Sequence, residues 1–181
     1  MKALSEIGYV KAFRFLIWPL VYGIFRLLPY PPLRAFYLRL LGSEIGANTI
    51  IHSVKFFNYY RGSFRNLKIG DNCFLGSDVL LDLAAPIIIR DNVTIAERTV
   101  ILTHSNVGYA DHPLQRYLPA KTTGITIESG SFIGVNAVLL CGVKIGPRAC
   151  VGSLSLVDGD IPPDTINGGV PTRLIRKIER E

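Results

Sequence analysis

The chain has 181 residues, of which 49% are hydrophobic and 19% charged, and its formal net charge is +6. This length suits one domain with an appendage. Residues 1–42 hold six basic residues and one acid, so the remaining 139 residues carry a net charge of only +1. Nucleic-acid binding would spread basic residues over a folded face, so no nucleic-acid partner is expected. Cys73, Cys141 and Cys150 lack paired spacing and are expected to be buried thiols in a reducing compartment.

The first predicted element is an apolar helical segment. Phe15 to Phe25 reads FLIWPLVYGIF, eleven uncharged residues between Arg14 and Arg26. A helix that spans a bilayer needs about 20 such residues, so this run is too short to cross, and Pro19 would kink it. A signal peptide is disfavoured because no cleavage site of small residues follows.

A second short helix is expected at Leu33–Leu41, after a proline-rich turn at residues 29–32. Two short helices with flanking cations and interfacial aromatic residues are typical of a hairpin that lies in one leaflet. We therefore predict that residues 1–42 form a membrane-associating foot, with Trp18 at the lipid interface. The alternative is a helical pair that packs on the rest of the protein or at a subunit interface.

The rest of the chain has an aliphatic residue every six positions. In the C-terminal half these residues are Ile127, Ile133, Leu139, Ile145, Val151 and Val157. An upstream block contains Ile69, Leu75, Leu81, Ile89, Ile95 and Ile101, with a shift of two residues after Pro86, and a faint first turn lies at Ile45 and Ile51. Neither a helix nor an alternating strand has this period. A hexapeptide repeat is typical of a parallel β-helix.

Two segments interrupt the repeat. Residues 52–66 contain four aromatic residues and are expected to form an irregular first coil. Residues 103–124 form a loop that contains His104 and His112. Long loops in a regular solenoid are uncommon and often functional, so we expect the chemistry here.

Three segments carry a family resemblance. They are Ile101–Ser105 (ILTHS), residues 130–146 with the GSFIGVNA motif, and residues 160–176, in which two prolines precede Gly169-Val170-Pro171-Thr172-Arg173. Together they resemble the hexapeptide-repeat acyltransferases, and the ending is similar to the maltose and galactoside acetyltransferases. The foot further resembles that of membrane-associated polysaccharide O-acetyltransferases.

The resemblance implies an all-β protein that forms a homotrimer. Residues 43–181 are expected to form a left-handed parallel β-helix with the inserted loop 103–124 and a short C-terminal helix. The implied activity is acetyl-CoA-dependent O-acetylation of a sugar hydroxyl. The expected acceptor is a lipid-linked or surface-polysaccharide precursor at the cytoplasmic face of a bacterial cytoplasmic membrane.

The resemblance also assigns residue roles. His104 matches the general base, and histidine suits this role because it is largely neutral near pH 7. The acceptor would attack the thioester directly, with the Val135 N–H as oxyanion donor. Asp82 matches an acid that helps to hold the acceptor, and His112 in the loop is assigned to the same task.

The remaining matches concern acetyl-CoA, and no metal is expected. The residues assigned to acetyl-CoA are Phe132, Gly134, Gly152, Ser153, Arg173 and Arg176, the last two near its phosphates. Two departures from the family pattern affect this region. Leu154 replaces a glycine, and Asp158-Gly159 replaces a Thr-Lys pair.

Three alternatives stay open from the sequence. One is N-acetylation of a soluble nucleotide amino-sugar, and another is a β-helix scaffold without catalysis. The third is a γ-type carbonic anhydrase, which binds zinc through three histidines. This chain has His52, His104 and His112, but the spacing of the last two does not match that family.

Overall fold

The hexapeptide repeats form the sides of a triangular coil, in which each aliphatic side chain turns inward. The computed structural model describes residues 9–109 and 111–179, with side chains from residue 17 onward. Lys2 and Glu6 lie outside the described residues, as do the side chains of Lys11 and Arg14.

Short strands make up most of the described chain. They are β1 (Glu44–Ile45), β2 (Ile50–Ile51), β3 (Lys55–Phe57), β4 (Leu67–Ile69), β5 (Phe74–Leu75), β6 (Leu80–Asp82), β7 (Ile87–Ile89), β8 (Thr94–Ile95), β9 (Val100–Ile101), β10 (His104–Ser105), β11 (Lys121–Thr122), β12 (Ile125–Ile127), β13 (Phe132–Ile133), β14 (Val138–Leu139), β15 (Lys144–Ile145), β16 (Cys150–Val151), β17 (Leu156–Val157), β18 (Thr165–Gly168) and β19 (Arg173–Lys177). The described helices are α1 (Tyr9–Leu27), α2 (Pro31–Leu40), the one-turn α3 (Tyr59–Gly62) and a 3₁₀ turn (Phe64–Asn66).

The strands assemble into three long sheets. Sheet 1 contains β1, β4, β7, β12 and β15; sheet 2 contains β2, β5, β8, β13, β16, β18 and β19; sheet 3 contains β3, β6, β9, β14 and β17. Neighbouring strands are parallel except for the antiparallel pair β18–β19. Successive strands visit sheets 1, 2 and 3 in turn, which is a parallel β-helix, as predicted. We call its corners edge 1–2, edge 2–3 and edge 3–1 after the sheets that meet there.

The repeat aliphatics fill the inside of the coil. All twelve predicted inward residues between Ile69 and Val157 are at most 4% exposed. Each buried Leu, Ile or Val contributes about 1.5–3 kcal/mol relative to an exposed one. The pattern with a six-residue period therefore determines both the core and the register of the coils.

The two helices of the foot cover the N-terminal end of this core. One face of α1 packs on the aromatic residues of the first coil: the ring centroids of Trp18 and Phe64 are 5.4 Å apart, and those of Phe25 and Phe56 are 5.3 Å apart. The hydroxyl of Tyr37 in α2 donates to the Val21 carbonyl at 2.9 Å, which joins the two helices. The described part of the foot is therefore packed on the β-helix.

This packing corrects one expectation about the foot. Trp18 faces the first coil, where it contacts Tyr59 and Phe64, and so does not extend toward a lipid interface. The opposite face of the two helices is apolar and exposed, with Leu20, Ile24, Leu27, Leu33, Phe36 and Leu40 each 48% to 82% exposed. Among the residues that the structure describes, no helix combines the length and hydrophobicity required to cross a bilayer.

The predicted C-terminal helix is wrong, because residues 173–177 form the strand β19. Gly169, with a φ of +100°, allows the chain to reverse after β18. β19 then pairs antiparallel with β18. An isolated helix of so few residues is unstable, whereas the unpaired edge of β18 provides partners for backbone hydrogen bonds.

Candidate active site

Two predicted site residues, Asp82 and His104, meet at edge 3–1. Asp82 ends β6 in the second coil, and His104 lies three residues beyond β9 in the third. Because the sheet 3 strands of these two coils pair in register, the residues that follow them lie close together. His104 Nδ1 is 2.5 Å from Asp82 Oδ2.

Hydrogen-bond donors enclose the Asp82 carboxylate, which is 0% exposed. Oδ2 accepts from the backbone N–H groups of Thr103 and His104, each at 2.9 Å. Oδ1 accepts from Asn58 Nδ2 at 2.8 Å and from the Ala84 N–H at 3.1 Å. Burial raises the pKa of Asp82, but the hydrogen bonds from the His104 ring, the Asn58 amide and the backbone outweigh it and hold the pKa below its ordinary range. Asp82 is therefore an anion at neutral pH.

The contact with Asp82 assigns the tautomer of His104. An ionised carboxylate can only accept, so in the neutral ring Nδ1 carries the proton and donates it to Asp82. Nε2 then carries the lone pair. The His104 side chain is 24% exposed, and its ring centroid is 6.2 Å from that of Phe57. His104 Nε2 can therefore accept a proton, and the Asp82 anion would stabilise the ring once it is protonated.

The geometry does not support the predicted contact between Asp82 and an acceptor. Its carboxylate is buried and both oxygens already accept hydrogen bonds, so Asp82 orients His104 instead. Asn58, which the sequence did not single out, belongs to the same cluster: its amide contacts Asp82 and lies 3.2 Å from His104 Nδ1. The available signal was a polar residue among aromatics where the repeat is interrupted.

Four predicted residues lie together at edge 2–3. Gly134 and Gly152 are stacked so closely that a Cβ at Gly134 would lie 2.5 Å from the Ser153 nitrogen. The Val135 carbonyl accepts from the Leu154 N–H at 2.9 Å. Leu154, at the position of the expected glycine, has a φ of +59° and is 69% exposed. It therefore adopts the left-handed conformation that glycine reaches without strain, and its side chain faces solvent.

Phe132, Arg173 and Arg176 lie on the outer face of sheet 2. The strand register aligns Phe132 with Arg176 across β13, β16, β18 and β19. Residues three apart in a regular strand face opposite ways. Here the register between β18 and β19 shifts after Ile166 and leaves Ile175 as an extra residue of β19, so the two arginines share a face. All three side chains are exposed.

His112 lies in the loop that leaves edge 3–1. β10 and β11 pair antiparallel, with His104 opposite Thr122, and the intervening residues extend from this ladder. His112 Nδ1 accepts from a backbone N–H two residues further on, at 3.1 Å.

The ring of His52 packs instead on Phe74 in sheet 2. Between residues 9 and 179, residue 110 excepted, no group of three or more His, Cys, Asp or Glu side chains could hold a metal ion.

The predicted site residues thus fall on two different edges of the coil. His104 and Asp82 are at edge 3–1, whereas Gly134, Val135, Gly152 and Ser153 are at edge 2–3. One side of the triangle, about six residues or ~20 Å of extended chain, separates them. The two groups can meet only if one subunit presents its edge 3–1 to the edge 2–3 of another.

Comparison with known proteins adds three findings. The family described as "Hexapeptide repeat of succinyl-transferase" matches residues 66–97 and 124–153. The galactoside O-acetyltransferase of Escherichia coli K12 is 33% identical over 75% of this chain, and the chain spans 64% of its length. The putative colanic acid biosynthesis acetyltransferase WcaF of the same organism is 31% identical over 82% of this chain and 77% of its own length.

A solved structure of another acetyltransferase has the same fold over almost the whole chain. The hexapeptide-repeat-containing acetyltransferase VCA0836 of Vibrio cholerae, solved in complex with acetyl-CoA, superimposes with a TM-score of 0.79 at 27% identity. The match covers 99% of this chain and 93% of that one.

Proposed function

This chain belongs to the hexapeptide-repeat acetyltransferase family, and from that membership we propose that it transfers the acetyl group of acetyl-CoA to a sugar hydroxyl, with His104 as general base. The observation that carries the proposal is the contact of His104 Nδ1 with the buried Asp82 carboxylate. In the neutral ring this contact leaves Nε2 with its lone pair available, and a positioned base of this kind typically contributes ~10²–10⁴ in rate.

In the proposed reaction the acceptor attacks directly and no acyl-enzyme forms. The acceptor O–H gives its proton to His104 Nε2 as the oxygen bonds to the acetyl carbonyl carbon. The Val135 N–H is the proposed donor to the oxyanion. As the C–S bond breaks, the imidazolium returns the proton to the departing sulfur. Between the two transfers Asp82 stabilises the positively charged ring.

Acetyl-CoA supplies an activated thioester, and the residues of edge 2–3 and sheet 2 suit it as a ligand. Arg173 and Arg176 are exposed on one face of β19, where they would form charge-assisted hydrogen bonds with phosphates. Phe132, 44% exposed in the same sheet, would contact the apolar part of the pantetheine arm. Gly152 and Ser153 would line the groove between neighbouring coils at edge 2–3, in which the pantetheine arm would lie.

We further propose a homotrimer with active sites between subunits. In a cyclic assembly each contact joins two different surfaces. Pairing edge 3–1 of one subunit with edge 2–3 of the next would bring His104 to the neighbour's Val135 and Ser153. The loop around His112, which starts at edge 3–1, would then extend over the neighbour's groove. This arrangement accounts for the separation of the two groups within one chain.

A sugar acceptor is supported by the names of the relatives, a galactoside O-acetyltransferase and a putative colanic acid biosynthesis acetyltransferase. A lipid-linked or surface-polysaccharide precursor is favoured by the exposed apolar face of α1 and α2, with Arg26 also exposed at the end of α1. Such a face would bind a membrane surface from one side. We place the protein at the cytoplasmic face of the cytoplasmic membrane, where acetyl-CoA is available.

Replacement of the proposed base tests this function. We expect His104→Ala to lower the rate of acetyl transfer at least ~10²-fold, because the acceptor would lose its base, while subunit assembly and acetyl-CoA binding stay unchanged. Labelled acetyl-CoA would be incubated with free galactosides, nucleotide sugars, nucleotide amino-sugars and lipid-linked sugars. His52→Ala, which removes a histidine from the same β-helix, should keep full activity.

Two results would contradict the proposal. Near-normal turnover by His104→Ala would reject His104 and direct attention to His112. Acetylation of the amino-sugar alone would replace O-acetylation by N-acetylation.

A further inference from the structure

We infer that Asn58 is a positioning residue that acts on His104 through Asp82, and that the foot holds it in place. The inference rests on the proposed role of His104 as base. Asn58 is remote in sequence, 24 residues before Asp82 and 46 before His104. It reaches them because it follows β3, whose last residue, Phe57, pairs with Asp82 in sheet 3.

The contacts of Asn58 are specific to the catalytic pair. Its side chain is buried, and Nδ2 donates to Asp82 Oδ1 at 2.8 Å while lying 3.2 Å from His104 Nδ1. Nδ1 carries a proton, so this second approach joins two donors and is not a hydrogen bond. The amide therefore acts through the carboxylate: it holds Oδ1, and the rotation of the carboxylate then directs Oδ2 at the ring.

Without Asn58, the side-chain contact to Oδ1 would be lost and the Ala84 N–H, at 3.1 Å, would be its remaining donor. The carboxylate could then rotate about its last bond, and the ring would follow it. A histidine that samples several orientations spends less time with Nε2 at the acceptor. The expected loss is therefore in kcat, with little change in the KM for acetyl-CoA, whose proposed groove is on another edge.

The backbone around Asn58 shows why an asparagine suits this position. Its φ is +56°, in the left-handed region that asparagine tolerates better than most residues. Asn58 directly precedes α3, and its neighbour Tyr59 stacks on Phe64 at 5.8 Å and packs against Tyr22 of α1 at 5.6 Å. The inner face of the foot therefore packs against the segment that contains Asn58 and helps to hold this segment beside the second coil.

The test uses Asn58→Gly, because glycine adopts the left-handed conformation and only the amide is lost. We expect kcat to fall about tenfold or more, the effect of losing one hydrogen bond to a charged group, with the KM for acetyl-CoA within about twofold of wild type. Asn66→Ala is the matched control. Asn66 lies in the same segment and its amide donates to the Leu83 carbonyl at 2.9 Å, next to Asp82 in sequence. This variant should keep wild-type kcat.

A double-mutant cycle separates positioning from a general structural effect. In an Asp82→Ala background, Asn58→Gly should change kcat by less than about twofold, because the residue through which it acts is gone. Equal losses in both backgrounds, or equal losses for Asn58→Gly and Asn66→Ala, would overturn the inference. If His104→Ala remains active, the proposed base is wrong. If His104→Ala is inactive and Asn58→Gly behaves as wild type, only the inference about Asn58 fails.

Discussion

At the scale of single residues, Asp82 determines the tautomer and the orientation of the His104 ring. A buried carboxylate normally resists ionisation, but here five donor groups surround its two oxygens. The ionised form is therefore the favoured one, and it restricts the neutral ring to one tautomer. The same contacts join the second and third coils, so the Asp82–His104 pair also contributes to stability.

Asp82→Asn tests both consequences. A carboxamide cannot accept from every donor, so we expect kcat to fall at least about tenfold. We also expect the free energy of unfolding at pH 7 to fall by ~1–3 kcal/mol or more, the cost of a buried unsatisfied donor. Activity assays and urea denaturation measure the two effects.

Unfolding measurements at acid pH test whether the ionised form of Asp82 provides this stability. The pKa of Asp82 is depressed in the folded protein, so its contribution to stability is present above the unfolded value of about 3.9 and is lost as the pH falls through the folded value. The stability difference between wild type and Asp82→Asn should therefore narrow below about pH 4. A difference that does not change with pH would mean that the ionised carboxylate is not what the donors stabilise.

The sequence predicted His104 but not the whole cluster. A histidine at the end of a repeat strand in front of a long loop is a local signal. Asp82 could also be singled out, but its contact with His104 could not, because the two residues are 22 positions apart and meet only when their coils stack. Asn58 stands out locally only as a polar residue among aromatics, and its proposed role appears only when the irregular first coil is placed against the second.

At the scale of elements, α1 has two apolar faces with different partners. The inner face contains Trp18, Tyr22 and Phe25, which pack on the first coil. The outer face contains Leu20 and Ile24, which are 69% and 51% exposed. The sequence shows one apolar run and cannot tell the faces apart, so it left both membrane binding and packing open. The inner face packs on protein, and the outer face is the part that could contact lipid.

We predict that Leu20→Ser, Ile24→Ser and Leu27→Ser together release the protein from membranes. Each aliphatic side chain contributes about 1.5–3 kcal/mol when fully buried, so binding to vesicles of phosphatidylglycerol and phosphatidylcholine should fall at least ~100-fold. Co-sedimentation measures binding, and circular dichroism should show an unchanged fold because these side chains are exposed.

Leu114→Ser with Leu118→Ser is the control, since both leucines are exposed in the loop away from the foot. This variant should bind vesicles as wild type does. Deletion of residues 1–42 is a poorer test, because it would uncover the buried Phe56 and Phe64. A full-length protein that binds no vesicles would make the foot a packing element alone and remove the main support for a lipid-linked acceptor.

The period of six predicted the β-helix because every coil repeats the same inward position. The C-terminal helix was a wrong prediction for the opposite reason. Residues 173–177 have no strong local preference, and the unpaired edge of β18 decides their conformation. Local sequence could not reveal that edge.

At the scale of the whole molecule, the separation of the two edges predicts shared active sites. Subunits with His104→Ala would be mixed with subunits in which Ser153→Trp blocks the groove. If each site combines two subunits, some sites in a mixed trimer contain neither defect, so the inactive parents should regain part of the activity after exchange. No regained activity in trimers shown to be mixed would mean that each site is built within one chain.

The two ends of the β-helix have a further consequence for assembly. A coil with an open end presents unpaired backbone groups and an apolar core, on which another molecule could stack and continue the sheets. Here α1 and α2 cover the first coil, and β19 turns back along β18 at the other end. End-to-end growth into a fibre is therefore hindered at the first coil, whereas β19 is itself an exposed edge strand of sheet 2. In the proposed trimer, subunits would instead associate through the sides of the triangle, and such an assembly closes into a ring and does not grow.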